Sequence, residues 1–171
     1  QGPGPARNMG LRSAKGDYIV FADADDYLPD VDIFRKYISM AEQTGADIVV
    51  SNYARLWENR VLPAVKHETF ALCSPYSEEF RFRGFFSVGT LSYVWGKFYR
   101  SEFLKKYQII FGNISYAEDK PYNMECYICD AKYVFLEDTG YIYRKNDTSV
   151  SWQYRPDSTQ NWFKLANELK E

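Results

Sequence analysis

Asp23, Asp25 and Asp26 follow directly on the apolar run "YIVFA" at positions 18–22. On an extended segment alternate side chains share a side, so Asp23 and Asp25 can converge on one ligand. Two hard oxygen donors so placed suit Mg2+ or Mn2+, which would relieve their mutual repulsion and leave positions open for phosphate oxygens. In open α/β sheets ligands sit beyond the carboxyl ends of the strands, which is where this cluster falls. Acidic residues after a strand also serve as turn formers and helix caps, and Asp26 and Asp30 are open to that simpler role. A second acidic pair, Glu118 and Asp119, opens a predicted helix, where the macrodipole by itself favours such residues.

Other chemistries for the first cluster meet obstacles. An EF-hand loop starting at Asp23 needs Gly sixth and Glu twelfth, but Leu28 and Phe34 stand there. A Walker B strand needs a Walker A lysine loop, which this sequence lacks. An aspartyl-phosphate phosphatase, with Asp23 taking the phosphate, is the alternative enzyme, although Tyr27 replaces the Thr or Val of its motif. Cys126 and Cys129 form C-x-x-C, but no second pair accompanies them and the sole histidine, His67, is remote. Both share a predicted helical face with Tyr122, so core packing is the expectation over zinc or redox chemistry. His67 receives no role.

The elements that must position these groups read as α/β. A helix is predicted over Pro5 to Lys15 with Gly16 as its stop, then a buried strand from Tyr18 to Ala22. A second helix near Pro29 to Thr44 carries an apolar stripe of Val31, Phe34, Ile38 and Ala41 and ends at Gly45. "DIVVSNY", Asp47 to Tyr53, completes a strand–helix–strand unit of the length of a right-handed parallel crossover. The middle predicts a strand at Val61 to Phe70, a short helix at Glu78 to Phe86, and "SYVWGKFYR" leading into a helix at Ser101 to Tyr107. A helix follows Glu118 and Asp119 with Pro121 in its first turn. "KYVFLED" and "GYIYRKN" read as two strands, and the tail from Pro156 as a helix with Trp162, Leu165, Ala166 and Leu169 on one face.

The 171 residues suffice for about one domain with a substantial core. With 21 basic and 23 acidic residues the net charge is −2, which argues against a nucleic-acid partner. Aromatic residues make up 18% of the chain, so much ring surface must be packed in a core or ligand groove. No apolar run approaches the roughly 18 residues needed to span a bilayer, and no signal-peptide pattern opens the sequence. Three cysteines make a poor disulfide framework, which favours a reducing compartment.

"GPGPARNMGLRSAKGDYIVFADADDYLPD" resembles the central signature of the family 2 glycosyltransferases, G-x-x-x-A-R-N-x-G before a strand ending in D-x-D-D. Gly2, Ala6, Arg7, Asn8, Gly10, Lys15, Gly16, Asp23, Asp25 and Asp26 carry the match. "YVWGKFYRSEFLKKYQIIF" is similar to the family's W-x-K-L-Y-R segment, "YAEDKPYNM" to its Glu-Asp motif, and "YIYRKNDTSVS" to its Tyr-x-Tyr-Arg segment.

The resemblance implies a partial GT-A fold, a Rossmann-like mixed sheet flanked by helices. Residues 1–171 would form one domain: 1–54 the D-x-D-bearing part, 55–155 the acceptor and catalytic part, and 156–171 a C-terminal helix. The family's opening V-S-V-I-I-P-x-Y-N strand and base-holding strand have no counterpart here. The expectation is therefore the C-terminal two-thirds of a catalytic domain, with N-terminal strands missing.

The implied activity is that of an inverting, metal-dependent, hexosyltransferase-like enzyme of polysaccharide biosynthesis. It would move a sugar from a nucleotide-sugar donor to a glycan or lipid-linked acceptor, in the cytoplasm or peripherally beside a membrane. Mn2+ or Mg2+ would sit on Asp25, with Asp23 at the metal or the donor ribose, and Asp119 would be general base. Glu118 would raise the proton affinity of Asp119 and, with Trp95, line the acceptor site. Arg7 and Arg144, and more weakly Lys97, are candidates for the diphosphate, against structural ion pairs; for Trp95 the competing role is core packing. Loops from Trp57 to Ser87 would select the acceptor. A non-catalytic truncated domain is the alternative of a different class.

Overall fold

The computed structural model describes residues 2–65, 85, 88–114, 116–145, 156 and 158–168. In chain order it contains α1 (Gly4–Ser13), β1 (Tyr18–Ile19), α2 (Ile33–Thr44), β2 (Ile48–Trp57), β3 (Arg60–Val65) and α3 (Val88–Leu91). Then follow β4 (Lys97–Arg100), α4 (Ser101–Lys106), α5 (Asp119–Ile128), β5 (Tyr133–Arg144) and α6 (Ser158–Glu168). The predicted helix at Glu78 to Phe86 and the end of the strand at Val61 to Phe70 fall largely outside the described residues.

β2 is the centre of a mixed sheet. One edge of it pairs in parallel with β5 along most of its length. Its other edge pairs antiparallel with β4 through Ile48 to Val50, then with β3 through Tyr53 to Trp57. β1 pairs antiparallel with β4. β1 and β2 are therefore parallel, as predicted, but not neighbours: β4, brought in from far along the chain, lies between them. The parallel neighbour of β2 is β5. β2 and β3 are joined by Glu58 and Asn59, both at positive φ (48° and 60°), the twist that suits a two-residue hairpin.

Burial explains the unbroken apolar runs. Ile48 and Val50 of β2, with Tyr133 and Phe135 of β5, pack among Phe103, Phe111, Tyr122 and Cys126. Val49, Val134 and Leu136 point the other way, toward Ile33, Tyr37 and Ala41 of α2. Period-two alternation with both faces apolar is the mark of a sheet covered on both sides. α4 and α5 cover one face and α2 the other.

Several expectations need correction. Of the predicted α2 stripe Ala41 is buried as expected, but Phe34 and Ile38 are exposed and Val31, just ahead of the helix, is 84% exposed; Ile33 and Tyr37 are buried in their place. Tyr37 wins because its ring stacks on Phe98 at 5.2 Å and its hydroxyl donates to Ser51 Oγ at 2.6 Å. The two strands predicted around Thr139 are one strand, β5, whose register with β2 shifts on either side of Asn52. Asn52 Nδ2 donates to Glu137 O at 2.8 Å at that irregularity. β1 keeps only two residues, extended by one bridge between Phe21 and Trp95. Among the α6 side chains that are described, Asn161 is buried, whereas Trp162 is 44% exposed and Ala166 is exposed; the predicted face residues Leu165 and Leu169 lie outside the described side chains. Cys126 is fully buried and Cys129 half-buried, both free thiols, as the core reading requires.

Candidate functional site

α1 delivers Arg7 to the carboxyl end of β1. Its neighbour Asn8 fixes the rotation of the helix: Asn8 Nδ2 donates to Phe111 O and Phe111 N donates to Asn8 Oδ1, both at 2.8 Å. Gly4 keeps the approach close, since a Cβ there would lie 3.3 Å from Phe111 Cβ. So clamped, Arg7 Nη2 donates to Asp23 Oδ1 at 2.8 Å, and Nη1 donates to Glu118 Oε1 at 2.7 Å and Asp119 Oδ1 at 2.5 Å. One guanidinium thus joins the acidic loop after β1 to the acidic pair at the head of α5. The fork geometry of arginine allows this, where a lysine would offer a single point charge.

Asp119 is buried, and its second oxygen accepts from Val94 N at 3.1 Å. Burial pushes its carboxyl up to about 7 from an ordinary 3.8. The Arg7 charge and the Val94 N–H pull it down, while Glu118 and Asp23 push it further up. A carboxylate held near neutrality is suited to taking a proton. The segment that presents Val94 N–H is itself tied. Asn123 Nδ2, one helical turn beyond Asp119, donates to Leu91 O at 2.9 Å and Tyr93 O at 3.0 Å. Tyr99 Oη lies 3.2 Å from Val94 O and 3.0 Å from Asn123 Oδ1. Lys97 is fully buried, donates to Tyr93 O, and is drawn down to about 7 by burial against the opposing charge of Asp119.

The three loop carboxylates have three different surroundings. Asp23 takes Arg7, and Asp25 is exposed. Asp26 is turned inward, accepting from Tyr141 Oη at 2.8 Å and Arg144 N at 2.8 Å. Burial first, and the neighbouring Asp25 and Asp23 charges last, push Asp26 up to about 6 despite those two donors. Their mutual repulsion is thus met group by group, and Asp26 has a structural bonding role, although it caps no helix: its carboxylate is held by β5.

The structure places the remaining candidates as follows. Arg7 is spent on three carboxylates, the ion-pair alternative to the diphosphate role. Glu118 is buried against Arg7, with little surface for an acceptor. Trp95 is 4% exposed and stacked on Tyr93 at 4.2 Å and Tyr141 at 4.5 Å, which is core packing and leaves almost no ring face for a sugar. Arg144 is exposed beside the acidic loop, with its guanidinium carbon 6.0 Å from the Tyr27 ring centroid. Among the described residues no group of three or more acidic, His or Cys side chains could hold a metal. A divalent ion that takes one or two carboxylates and completes its shell with phosphate oxygens would suit Asp25 with Asp23, but Asp26 is already committed. Asn8, Asn123, Tyr99 and Tyr141 received no chemical role from the sequence, although all four lay inside segments quoted for their resemblance and Asn8 was one of the matching residues; their polar type was the available signal.

A mixed sheet with helices on both faces, ending in an acidic loop wired to a buried acid at a helix start, defines a GT-A-type α/β protein. The chain belongs to glycosyl transferase family 2, whose model matches residues 1–108. That membership displaces the phosphatase alternative. The chain is 30% identical over 149 residues to the uncharacterized glycosyltransferase EpsJ of Bacillus subtilis, covering 85% of this chain and 43% of EpsJ. It is 26% identical over 143 residues to poly(ribitol-phosphate) beta-N-acetylglucosaminyltransferase TarS of Staphylococcus aureus, covering 83% of this chain and 23% of TarS. The crystal structure of residues 1–349 of that TarS in complex with UDP-GlcNAc matches in fold with a TM-score of 0.75 and 24% identity, over 98% of this chain and 47% of the other. This chain spans less than half the length of each of these proteins. Among the described residues no helix is long and apolar enough to cross a membrane.

Proposed function

We propose that these residues form the donor-phosphate and base side of an inverting glycosyl transfer from a nucleotide-sugar donor to a glycan or lipid-linked acceptor. The carrying observation is the single guanidinium of Arg7 shared by Asp23 and Asp119. It brings a strand-end acid and a buried acid of raised proton affinity within reach of one small substrate.

In this reading Asp119 accepts the proton of the acceptor hydroxyl as it attacks the anomeric carbon. Arg7 keeps that carboxyl aimed and favours its ionised form, while Val94 N–H holds the other oxygen. Asp25, with Asp23, holds Mn2+ or Mg2+, which supplies charge neutralisation for the departing nucleoside diphosphate. Arg144, exposed at the loop, is the arginine left to meet a phosphate. Work on lipid-linked glycans in polysaccharide biosynthesis, at the cytoplasmic side of a membrane, fits the same reading.

Titration calorimetry of the full chain with Mn2+ and UDP or GDP tests it. Binding is expected, lost with Asp25→Ala and retained with Asp119→Asn. The latter variant should lose turnover by about 10²- to 10⁴-fold in a donor screen. Equal affinity in Asp25→Ala, or full turnover in Asp119→Asn, would remove the proposal.

A further inference from the structure

The acidic loop is docked on the end of β5 by a compact set of bonds that the proposed chemistry does not itself use. Asp23 N donates to Tyr141 Oη at 2.9 Å, and the same hydroxyl donates to Asp26 Oδ2 at 2.8 Å. Arg144 N donates to Asp26 Oδ1 at 2.8 Å. Between them Tyr27 and Ile142 exchange backbone bonds, Tyr27 N to Ile142 O at 3.3 Å and Ile142 N to Tyr27 O at 2.9 Å. The Tyr141 ring is fully buried and lies flat on Trp95 at 4.5 Å and 10°. Trp95 in turn bridges Phe21, two residues before Asp23.

A hydroxyl that both accepts from and donates to one five-residue loop has no rotational freedom left. Its ring has none either. A carboxylate that accepts from two β5 donors cannot turn outward without giving up both bonds at once, one of them from the hydroxyl of a fully buried ring. The loop therefore has one low-energy arrangement, in which Asp26 is inward, Asp23 faces Arg7 and Asp25 is left at the surface.

We infer that Tyr141 and Asp26 are positioning residues of the donor site: their bonds across to β5 hold the loop so that Asp25 and Asp23 present their carboxylates to a divalent cation and diphosphate. This rests on the donor reading above. It assigns separate tasks to the three loop acids and makes Trp95, through its stack on Tyr141, the wall behind the donor site. Preorganised ligands held by a second layer of bonds lose little freedom on binding.

The test uses the full chain and Tyr141→Phe, which keeps the ring and its stack on Trp95 and removes only the hydroxyl. Asp26→Ala serves as a second variant. Amide hydrogen exchange over residues 22–28 and calorimetry with Mn2+ and UDP are read together. Tyr141→Phe is expected to speed exchange in that segment, with the rest of the sheet unchanged, and to weaken Mn2+–UDP binding by about tenfold. In a donor screen the KM for donor should rise while that for acceptor stays. Unchanged exchange, or faster exchange with unchanged affinity, overturns the inference while wild-type binding keeps the donor reading intact. Faster exchange throughout the sheet would make the role one of general stability and overturn it as well. If the wild-type chain itself binds no Mn2+–UDP, the donor reading falls and takes this inference with it.

Discussion

Arg7 and Asp119, 112 residues apart in sequence, meet at 2.5 Å. The same guanidinium reaches Asp23 and Glu118, so a single cation is shared by three carboxylates in a mostly buried corner. Removing one member of such a set leaves the others charged and unpaired.

Arg7→Ala should therefore lower stability by about 3 kcal/mol in urea unfolding. It should also raise the proton affinity of Asp119 further, because the Arg7 charge is the main influence pulling it down. Arg7→Lys should recover only part of the loss, since an ammonium cannot hold both ends of the fork. Equal stability of the three proteins would show that the cluster is not an energetic unit.

Some of this was legible in sequence and some was not, for physical reasons. Ile48 to Val50 and Tyr133 to Leu136 announced themselves because a sheet covered on both faces needs apolar residues at every position. The head of α5 was legible through Pro121 in the first turn. The phase of α2 was not: Phe34 and Ile38 are as apolar as the residues that are buried, and only the Phe98 ring across the interface selects Tyr37. Nor could local periodicity place β4 between β1 and β2, because that pairing joins residues some 80 apart. The acids of the loop stood out by type, whereas Tyr141, one of 15 tyrosines, is singled out only by its partners in space.

Gly140 makes a packing test. A Cβ there would fall 2.6 Å from Ser51 Cβ and would also strike the oxygens of Ser51 and Tyr37. All three groups are buried, and the Tyr37 hydroxyl, Ser51 Oγ and Gly96 O form a chain at 2.6 and 3.1 Å. Gly140→Ala should destabilise by about 3 kcal/mol, measured as a lower urea midpoint, because the added methyl would have to displace buried Ser51 and the Tyr37 hydroxyl bonded to it. An unchanged midpoint would mean that the bulge at Asn52 absorbs the methyl group.

Asp119 predicts opposed pH profiles for turnover and stability. Its folded value, about 7, lies above the ordinary 3.8, so between those limits the folded state binds more protons than the unfolded one. Stability from this group is fully present below about pH 4 and is lost as pH rises through about 7. Turnover, if it needs the ionised form, should climb over the upper part of the same window. Asp119→Asn should flatten the acid-side slope of stability and abolish the climb in turnover; persistence of both slopes would assign them to other groups.

Lys97 predicts the complementary limb. Burial draws its ammonium down to about 7 from 10.5, so between those values the unfolded state binds more protons than the folded one. By linkage the contribution of Lys97 to stability rises as pH climbs from about 7 toward 10.5, and the penalty of burying the charged form is fully present below 7. Lys97→Met removes that term but also the hold on Tyr93 O, and with it one restraint on the segment that presents Val94 N–H to Asp119. The difference in unfolding free energy between wild type and Lys97→Met should therefore shift in favour of wild type between pH 7 and 9. A constant offset across that range would mean that Lys97 stays charged in the fold, held by Asp119 against the cost of burial.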